Sequence, residues 1–151
     1  MSECVFCTLQ HSASSVLAAN ELAYAVLDLA PIRPGHTLVI PRQHVDDFFE
    51  LGEEVQAVML QLANGLAKVL REVCRPQRVG MLVAGFDVAH AHLHVIPIQD
   101  AHDITSKVVL DGRKVMATDD ELQAMRSKLL VRISAPGPQG QLNECEQGPA
   151  G

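Results

Sequence analysis

The chain has 151 residues, of which 48% are apolar, 20% charged and 3% aromatic, and its formal net charge is −6. This length is typical of one domain with its own core, and the composition is that of a globular protein. An acidic chain with few aromatics is poorly suited to nucleic acid, which requires basic surface and rings that stack on bases. A small phosphorylated ligand held by a few donors remains compatible with this composition.

No segment approaches the about 20 apolar residues of a membrane span. The N-terminal sequence MSECVFCTLQ also lacks the basic-then-apolar order of a signal peptide. We therefore expect a cytoplasmic protein that does not enter a membrane. In a reducing cytoplasm its cysteines are expected to be thiols or metal ligands rather than disulfides; they are Cys4, Cys7, Cys74 and Cys145.

The first half of the chain predicts two strands and one long helix. Residues 22–28 (LAYAVLD) and 36–41 (HTLVIP) have the apolar composition of strands, and the turn sequence PIRPG separates them. From Glu53 to Cys74 apolar residues recur at intervals of three and four, which predicts an amphipathic helix of about six turns. Pro76 is expected to end it.

The second half predicts two further strands, at 78–84 and 90–98, and a hairpin turn at Asp111 and Gly112. Thr118 and Glu121 have the spacing of a capping box that opens a short C-terminal helix. We expect one α+β domain over residues 1–134, with a mostly antiparallel sheet. Residues 135–151 are rich in Pro, Gly and Gln and predict a disordered tail.

Three of the seven histidines alternate in the segment AHAHLHVIP. On a strand, His90, His92 and His94 would share one face, while the apolar residues between them face the core. Adjacent imidazoles would leave the backbone about 6.6 Å apart and the outer two about 13 Å apart. At most two could therefore bind one metal ion. A solvated patch, a metal-dependent hydrolase using His90 and His92, and a histidine nucleophile toward phosphorus all remain possible.

The segment HAHLHVIP resembles the alternating signature of the histidine triad (HIT) family. The segments CVFCTL at Cys4 and AVLDLAPIRPGHTLVIPRQH at 25–44 fall in that family's order and spacing. The resemblance implies an α+β homodimer that binds a nucleotide. It also implies that His92 attacks the α-phosphorus to form a nucleotidyl-histidine, that His94 contacts the phosphate, and that the His90 carbonyl fixes the tautomer of His92.

The resemblance also implies a nucleotide-binding set of residues. Asp28 would accept hydrogen bonds from the ribose hydroxyls. The alternative is that Asp28 is only an acidic residue of the turn before Pro31, with no role in binding. The base pocket would be lined by apolar residues for which the sequence alone favours a plain core role: Val5, Phe6, Leu9 and Leu29. Asp87 and Val88, directly before the triad, complete the candidate substrate contacts.

The pair Cys4 and Cys7 suggests a metal site, because zinc takes four nitrogen or sulfur ligands in a closed tetrahedron. Some members of the family hold zinc with a set that corresponds here to Cys4, Cys7, His44 and His90. We expect a structural zinc ion with no open position. The alternatives are unrelated thiols or a redox pair, although a redox pair usually opens a helix, which this segment does not suggest. His36 is expected to have no chemical role, and His11 and His102 to lie on the surface.

The segment before the triad departs from the family, whose usual Gly-Gln-Ser/Thr is replaced by Gly85, Phe86 and Asp87. We expect a hydrolase or nucleotidyl transferase acting on a purine nucleoside phosphoramidate or dinucleoside polyphosphate. The Asp87 charge favours phosphoramidates, because it would repel a polyphosphate leaving group. The departures also leave open a catalytically weak, zinc-stabilised nucleotide-binding protein.

Overall fold

The computed structural model describes residues 4–105 and 115–135. Its helices are α1 (Val5–Leu9), α2 (Glu53–Cys74), α3 (His102–Thr105) and α4 (Asp119–Ile133). Its strands are β1 (Val16–Ala19), β2 (Ala23–Leu27), β3 (Thr37–Pro41), β4 (Arg78–Leu82) and β5 (Leu93–Ile98). A 3₁₀ turn, Phe48–Glu50, precedes α2. The predicted α+β class is confirmed.

The described strands form one five-stranded sheet in the order β1-β2-β3-β5-β4, and every neighbouring pair is antiparallel. The histidine-bearing strand β5 therefore lies between β3 and β4. Its register places Leu38 opposite His94 and Val39 opposite Leu93. This pairing brings the start of β3, and the turn that precedes it, beside the triad.

Alternation along the strands gives the sheet two different faces. One face packs on α2 and α4 and contributes Ala25, Val39, Leu93 and Val95 to the main core. The other face carries a second cluster with α1, formed by Phe6, Tyr24, Val26, Leu38 and Ile40. The histidines lie on this second face, since the residues between them, such as Ala91, are buried in the main core.

The two strongest helix predictions are confirmed. Helix α2 runs from Glu53 to Cys74, and Arg75 ends it in the left-handed conformation at φ 48° before Pro76. Helix α4 opens with the predicted capping box. The Thr118 side chain accepts from the Glu121 amide, and the Glu121 carboxylate accepts from the Thr118 amide at 2.8 Å.

Several boundaries differ from the sequence prediction. Strand β5 begins at Leu93 rather than at His90, because the backbone before it bonds to loops: His90 N–H donates to Val88 O and Ala91 N–H to Val45 O. Strand β4 ends at Leu82. Helices α1 and α3 and strand β1 were not predicted. Helix α1 has only five residues and no side-chain cap, so its sequence carries little local signal.

Part of the prediction lies outside the described residues: the turn at Asp111 and Gly112, Cys145, and the tail from residue 136 onward. Within the part that is described, no helix combines the length and apolar character needed to cross a bilayer.

Candidate active site and metal centre

The middle histidine of the triad is held by its neighbour's backbone. His92 Nδ1 donates to the His90 carbonyl oxygen at 2.7 Å, and the Phe6 and His92 rings form a T-shaped contact with centroids 5.3 Å apart. His92 is buried, with 3% of its surface exposed. A neutral imidazole with its hydrogen on Nδ1 has a bare lone pair on Nε2. Within the described residues, no hydrogen bond is made to that Nε2.

The third histidine of the triad lies in a polar cluster with Asp28 and His36. His94 Nδ1 is 2.9 Å from His36 Nε2, and Asp28 Oδ2 lies 3.5 Å from His36 Nε2 and 3.9 Å from His94 Nδ1. The structure thus gives His36 a contact with the triad that the sequence did not suggest. Its ring is buried against His94, because the β3–β5 pairing brings the start of β3 beside the triad.

The first histidine of the triad belongs to a different cluster, at the N-terminus of α1. Ligand atoms of Cys4, Cys7, His44 and His90 all lie within 4.8 Å of one another. The two Nδ1 atoms, of His44 and His90, are 3.2 Å apart. The sulfur–nitrogen distances are 3.4 Å for Cys4 to His90, 3.4 Å for Cys7 to His44 and 3.7 Å for Cys7 to His90.

These distances fit a tetrahedral zinc site. Zinc bonds of about 2.05 Å to nitrogen and 2.3 Å to sulfur, at tetrahedral angles, place two nitrogens about 3.3 Å apart and a nitrogen and a sulfur about 3.6 Å apart. Four of the six distances between ligand atoms thus match the edges of a tetrahedron, and the other two are within 4.8 Å. The four side chains could therefore hold a metal ion.

Contacts outside the four-residue cluster orient its two imidazoles, by a hydrogen bond at His90 and by a nearby carboxylate at His44. His90 Nε2 donates to the Pro41 carbonyl oxygen at 2.9 Å, which leaves its Nδ1 bare and directed toward the cysteines. Burial lowers the pKa of His90, so the ring stays neutral. His44 Nε2 lies 3.5 Å from the Asp46 carboxylate. Metal-binding histidines are commonly oriented by such carbonyl and carboxylate partners.

The expectation that no helix begins at the cysteine pair is wrong, because Cys4 is the N-cap of α1. The four-ligand arrangement, rather than the lack of a helix, is what distinguishes this site from a two-cysteine redox pair. His90 connects the two halves of the site: its ring faces the metal cluster, while its carbonyl holds His92.

The candidate base-pocket residues fall into two groups. Val5 and Leu29 are 55% and 58% exposed, so the plain core role favoured for them by the sequence is wrong. Phe6 is buried in the second cluster, with Leu9 and Val88 packed against it. Asp28 keeps 17% of its side chain exposed, and its Oδ1 accepts from the Ala30 amide at 2.8 Å.

The segment that departs from the family lies at the surface. Phe86 is 95% exposed and Asp87 is also exposed. The predicted surface positions of His11 and His102 are confirmed.

Sequence reasoning missed two residues that shape the site, His36 and Tyr24. The buried Tyr24 hydroxyl donates to the Phe6 carbonyl oxygen at 2.6 Å and so anchors α1 to β2. Burial raises the pKa of Tyr24, which keeps that hydroxyl protonated. A histidine and a tyrosine inside otherwise apolar strands were the available signals, because buried polar groups require partners.

Comparison with known proteins agrees with this geometry. An uncharacterized HIT-like protein of Mycoplasma genitalium is 40% identical over 104 residues, which cover 64% of this chain and 73% of that protein. Adenosine 5′-monophosphoramidase HNT1 of Saccharomyces cerevisiae is 28% identical over 134 residues, which cover 86% of this chain and 82% of that protein. The AP-4-A phosphorylase of Mycobacterium tuberculosis is 32% identical over 120 residues, covering 69% of this chain and 62% of that enzyme.

The crystal structure of a Zn-bound histidine triad family protein from Mycobacterium smegmatis superposes with a TM-score of 0.67 at 25% identity, covering 89% of this chain and 98% of that one. The model of the HIT domain matches residues 10–101, which include the triad and the β2–β3 segment. The chain therefore belongs to the HIT family.

Proposed function

We propose that this protein is a nucleotide hydrolase or nucleotidyl transferase that attacks the α-phosphorus of a purine nucleoside phosphoramidate or dinucleoside polyphosphate through His92. Relatives named as a monophosphoramidase and as an AP-4-A phosphorylase support nucleotide processing in general. The observation that carries the finer proposal is the 2.7 Å hydrogen bond from His92 Nδ1 to the His90 carbonyl. It presents the His92 Nε2 lone pair as the nucleophile.

In the proposed reaction, His92 Nε2 forms a bond to the α-phosphorus as the bond to the leaving group breaks. The leaving group departs with the bonding electrons and takes up a proton from the solvent. The ring of the nucleotidyl-histidine then carries a positive charge, and the His90 carbonyl stabilises it by accepting from Nδ1–H. Water then attacks the phosphorus and gives up a proton to the solvent. The phosphorus–nitrogen bond breaks, the nucleoside monophosphate is released, and His92 returns to its neutral form.

The remaining candidates would position the nucleotide. Asp28 has lone pairs beyond the one used by the Ala30 amide, so its carboxylate can accept from ribose hydroxyls. The exposed side chains of Val5 and Leu29 offer apolar surface to a purine, backed by Phe6 and Leu9. His94, 12% exposed, would donate to the phosphate.

We assign the metal of the N-terminal cluster as zinc, held by Cys4, Cys7, His44 and His90. All four tetrahedral positions are filled by protein atoms, so the ion would have no position for water and its role would be structural. It would fix α1 and the His90 backbone, whose carbonyl orients His92. Cytoplasmic reducing conditions would keep Cys4 and Cys7 from forming a disulfide, and binding of zinc would release their protons.

We also infer a homodimer. Among the described strands, β4 is an edge of the sheet, and its Met81 is 55% exposed beside Val83 at 38%. An unpaired strand edge with apolar side chains favours pairing with a second copy. Light scattering on the purified protein should give twice the mass of one chain; a monomer at micromolar concentration would contradict the inference.

The His92→Ala variant tests the proposed nucleophile. We expect kcat to fall more than about 10³-fold, because alanine has no nucleophilic atom to form the covalent intermediate. Nucleotide binding and a cooperative thermal melt should be retained. His11→Ala removes an exposed histidine that belongs to neither the triad nor the cysteine-histidine cluster and is the control. A His92→Ala protein that keeps more than a trace of the wild-type rate would disprove the assignment.

A further inference from the structure

An exposed apolar pair leads into helix α4. Val115 and Met116 are 79% and 62% exposed, and they lie directly before the capping box that Thr118 forms with Glu121. Single apolar side chains on a protein surface are ordinary, whereas a group of them in one place is a feature of binding surfaces. The neighbours of this pair indicate what it could bind.

A backbone hydrogen bond joins the pair to the end of β2. The Ala117 N–H donates to the Leu29 carbonyl oxygen at 2.8 Å, and the Leu29 side chain is itself 58% exposed. Thr118, the next residue, is fixed by the capping box. Two consecutive residues therefore hold the pair beside β2. Together, Leu29, Val115 and Met116 form one exposed apolar surface, the apolar rim.

The apolar rim borders the acid proposed to bind the ribose. Asp28 directly precedes Leu29, and its Oδ2 atom lies 3.9 Å from Nδ1 of His94 in the triad. A nucleotide with its ribose hydroxyls on Asp28 and its phosphate at the triad carries its base on the same sugar. Since Leu29 is the next residue, the apolar rim adjoins the place where that base would lie.

Charge favours a base over a phosphate at the apolar rim. Asp28 flanks the rim on one side, and the exposed Asp119 and Asp120 flank it on the other, in the first turn of α4. These carboxylates repel the negative charge of a phosphate, and the two on α4 offset the positive end of the helix dipole. A purine base is uncharged and has a flat face, so it can pack on Met116 and Leu29 without that repulsion.

We propose that the apolar rim is a wall of the nucleotide site and that Met116 packs against the purine base. The proposal rests on the proposed function, since it takes the ribose to lie on Asp28. Methionine suits this position because its side chain is flexible and its polarisable sulfur packs well on aromatic rings. The apolar rim would raise the affinity for the nucleotide without contacting the reacting phosphorus.

Oxidation by hydrogen peroxide measures whether a base covers Met116. Peroxide converts an accessible methionine to its sulfoxide, and mass spectrometry of peptides gives the initial rate at each position. We expect saturating adenosine monophosphate (AMP) to slow the oxidation of Met116 at least about fivefold. Ribose 5-phosphate, which lacks the base, should leave that rate within about twofold.

Two other methionines are internal controls. Met81 is 55% exposed and pairs with Val95 on the face of the sheet away from the triad, so AMP should not change its rate. Met59 is fully buried, and in the free protein Met116 should react much faster than Met59. Equal rates for Met116 and Met59 would show that another part of the protein already covers the apolar rim, and would overturn the proposal.

Matched variants measure the contribution of Met116 to affinity. Met116→Ala should raise the Kd for AMP, measured by calorimetry, about 3- to 10-fold and leave the Kd for ribose 5-phosphate within about twofold. Met116→Leu keeps an apolar side chain of similar size and should bind AMP within about threefold of wild type. Val131→Ala is the control, because Val131 is 69% exposed about 20 Å farther along α4 and should change neither Kd.

The outcomes separate this inference from the proposed function. AMP binding that leaves Met116 unprotected, or Met116→Ala that binds AMP as wild type does, would overturn the inference alone. Protection by a dinucleoside polyphosphate but not by AMP would place the leaving group at the apolar rim, and would overturn it too. Protection by AMP without turnover at His92 would support the inference and contradict the proposed chemistry. No binding of AMP would contradict both.

Discussion

Each histidine of the triad has one ring nitrogen engaged by a different partner. His90 Nε2 bonds to Pro41 O, His92 Nδ1 to His90 O, and His94 Nδ1 to His36. Identical side chains at alternate positions are thereby oriented differently, as the proposed roles of metal ligand, nucleophile and phosphate contact require. Two of these partners are backbone carbonyls and one is a side chain.

A substitution at Asp87 tests the preferred leaving group. Its exposed carboxylate lies directly before the triad, where the family usually has Ser or Thr, and should repel a long polyphosphate more than an amine leaving group. Asp87→Ser should therefore raise kcat/KM for a dinucleoside polyphosphate about two- to tenfold more than for a phosphoramidate. Initial-rate kinetics on both substrates measure this.

Exposure limits the size of that effect, since salt screens exposed charges. The difference between the two substrates should shrink as ionic strength rises. Phe86→Leu, a change without charge beside Asp87, is the matched control. Equal changes in kcat/KM for both substrates, or a wild-type preference for the polyphosphate, would refute the charge argument.

The sequence predicted the cluster of Cys4, Cys7, His44 and His90 and the alternation of the triad, but not the contact of His36 with His94. Alternation along an extended segment is a local property, so the triad could be placed on one face. The contact between His36 and His94 depends on the β3–β5 pairing, which joins residues 58 positions apart. Strand order of this kind cannot be obtained from the apolar pattern of either strand.

Among the elements, α1 depends most on contacts outside itself. It has five residues and no side-chain cap, and it is held by the Tyr24 hydroxyl and by the cysteines before and within it. An isolated helix of this length is not stable in water. A bound zinc ion would supply the missing constraint by joining the N-terminus to His44 and His90.

The Cys7→Ser variant tests this dependence. Since metal-binding energy contributes to folding energy, losing one ligand should cost about 3 kcal/mol or more and lower Tm by about 10 °C. Elemental analysis should find about one zinc per chain in the wild type and much less in Cys7→Ser.

Cys74→Ser is the control for that experiment. Cys74 is half-buried at the end of α2, outside the metal cluster, and its thiol contacts the Pro34 carbonyl. This variant should keep its zinc and most of its stability. Wild-type protein purified without chelator and found free of zinc would contradict the assignment of the metal.

The contrast between α2 and α1 shows which elements a sequence can specify. The 22 residues of α2 repeat one apolar stripe, and a proline follows its end, so both of its boundaries were predicted. Strand β1 is short and half alanine, a residue that strands do not favour, and its position follows from pairing with β2.

At the scale of the whole molecule, an ion pair joins the turn before β3 to the segment after β5. The buried Asp103 carboxylate accepts from Arg33 Nε at 2.8 Å and from the Gln99 amide at 2.7 Å. Burial opposes its ionisation, but Arg33 and the amides of Gln99 and Asp100 outweigh burial and hold the pKa of Asp103 below its usual range. The ion pair between Arg33 and Asp103 thus stabilises the turn that carries Ile32 and His36.

The sign of the pH dependence follows from that pKa. The pKa of the Asp103 carboxyl is about 3.9 in the unfolded chain and lower in the folded protein. The ionised carboxylate therefore contributes its full stabilisation of the native state above about pH 5. The contribution is lost as pH falls through the folded-state pKa. Asp103→Asn should lower the free energy of unfolding at pH 7 by about 1–3 kcal/mol, and the gap to wild type should close as the pH falls through the folded-state pKa of Asp103.

Urea unfolding at several pH values measures this gap, and metal loss in acid affects both proteins alike. Asp100→Asn is the control, because its carboxylate is 55% exposed and 3.7 Å from Arg33, and it should cost less than about 0.5 kcal/mol. A gap for Asp103→Asn that stays constant across the pH range would show that the carboxylate charge is not the cause.

Covalent nucleotidylation of His92 is tested most directly by a rapid base-quenched single turnover with a nucleoside phosphoramidate, followed by mass spectrometry of peptides kept at alkaline pH, because the phosphorus–nitrogen bond is labile in acid. We expect a transient adduct of one nucleoside monophosphate on His92, which is absent in His92→Ala and decays at the rate of product release. Turnover without any adduct, or an adduct on another residue that persists in His92→Ala, would contradict it.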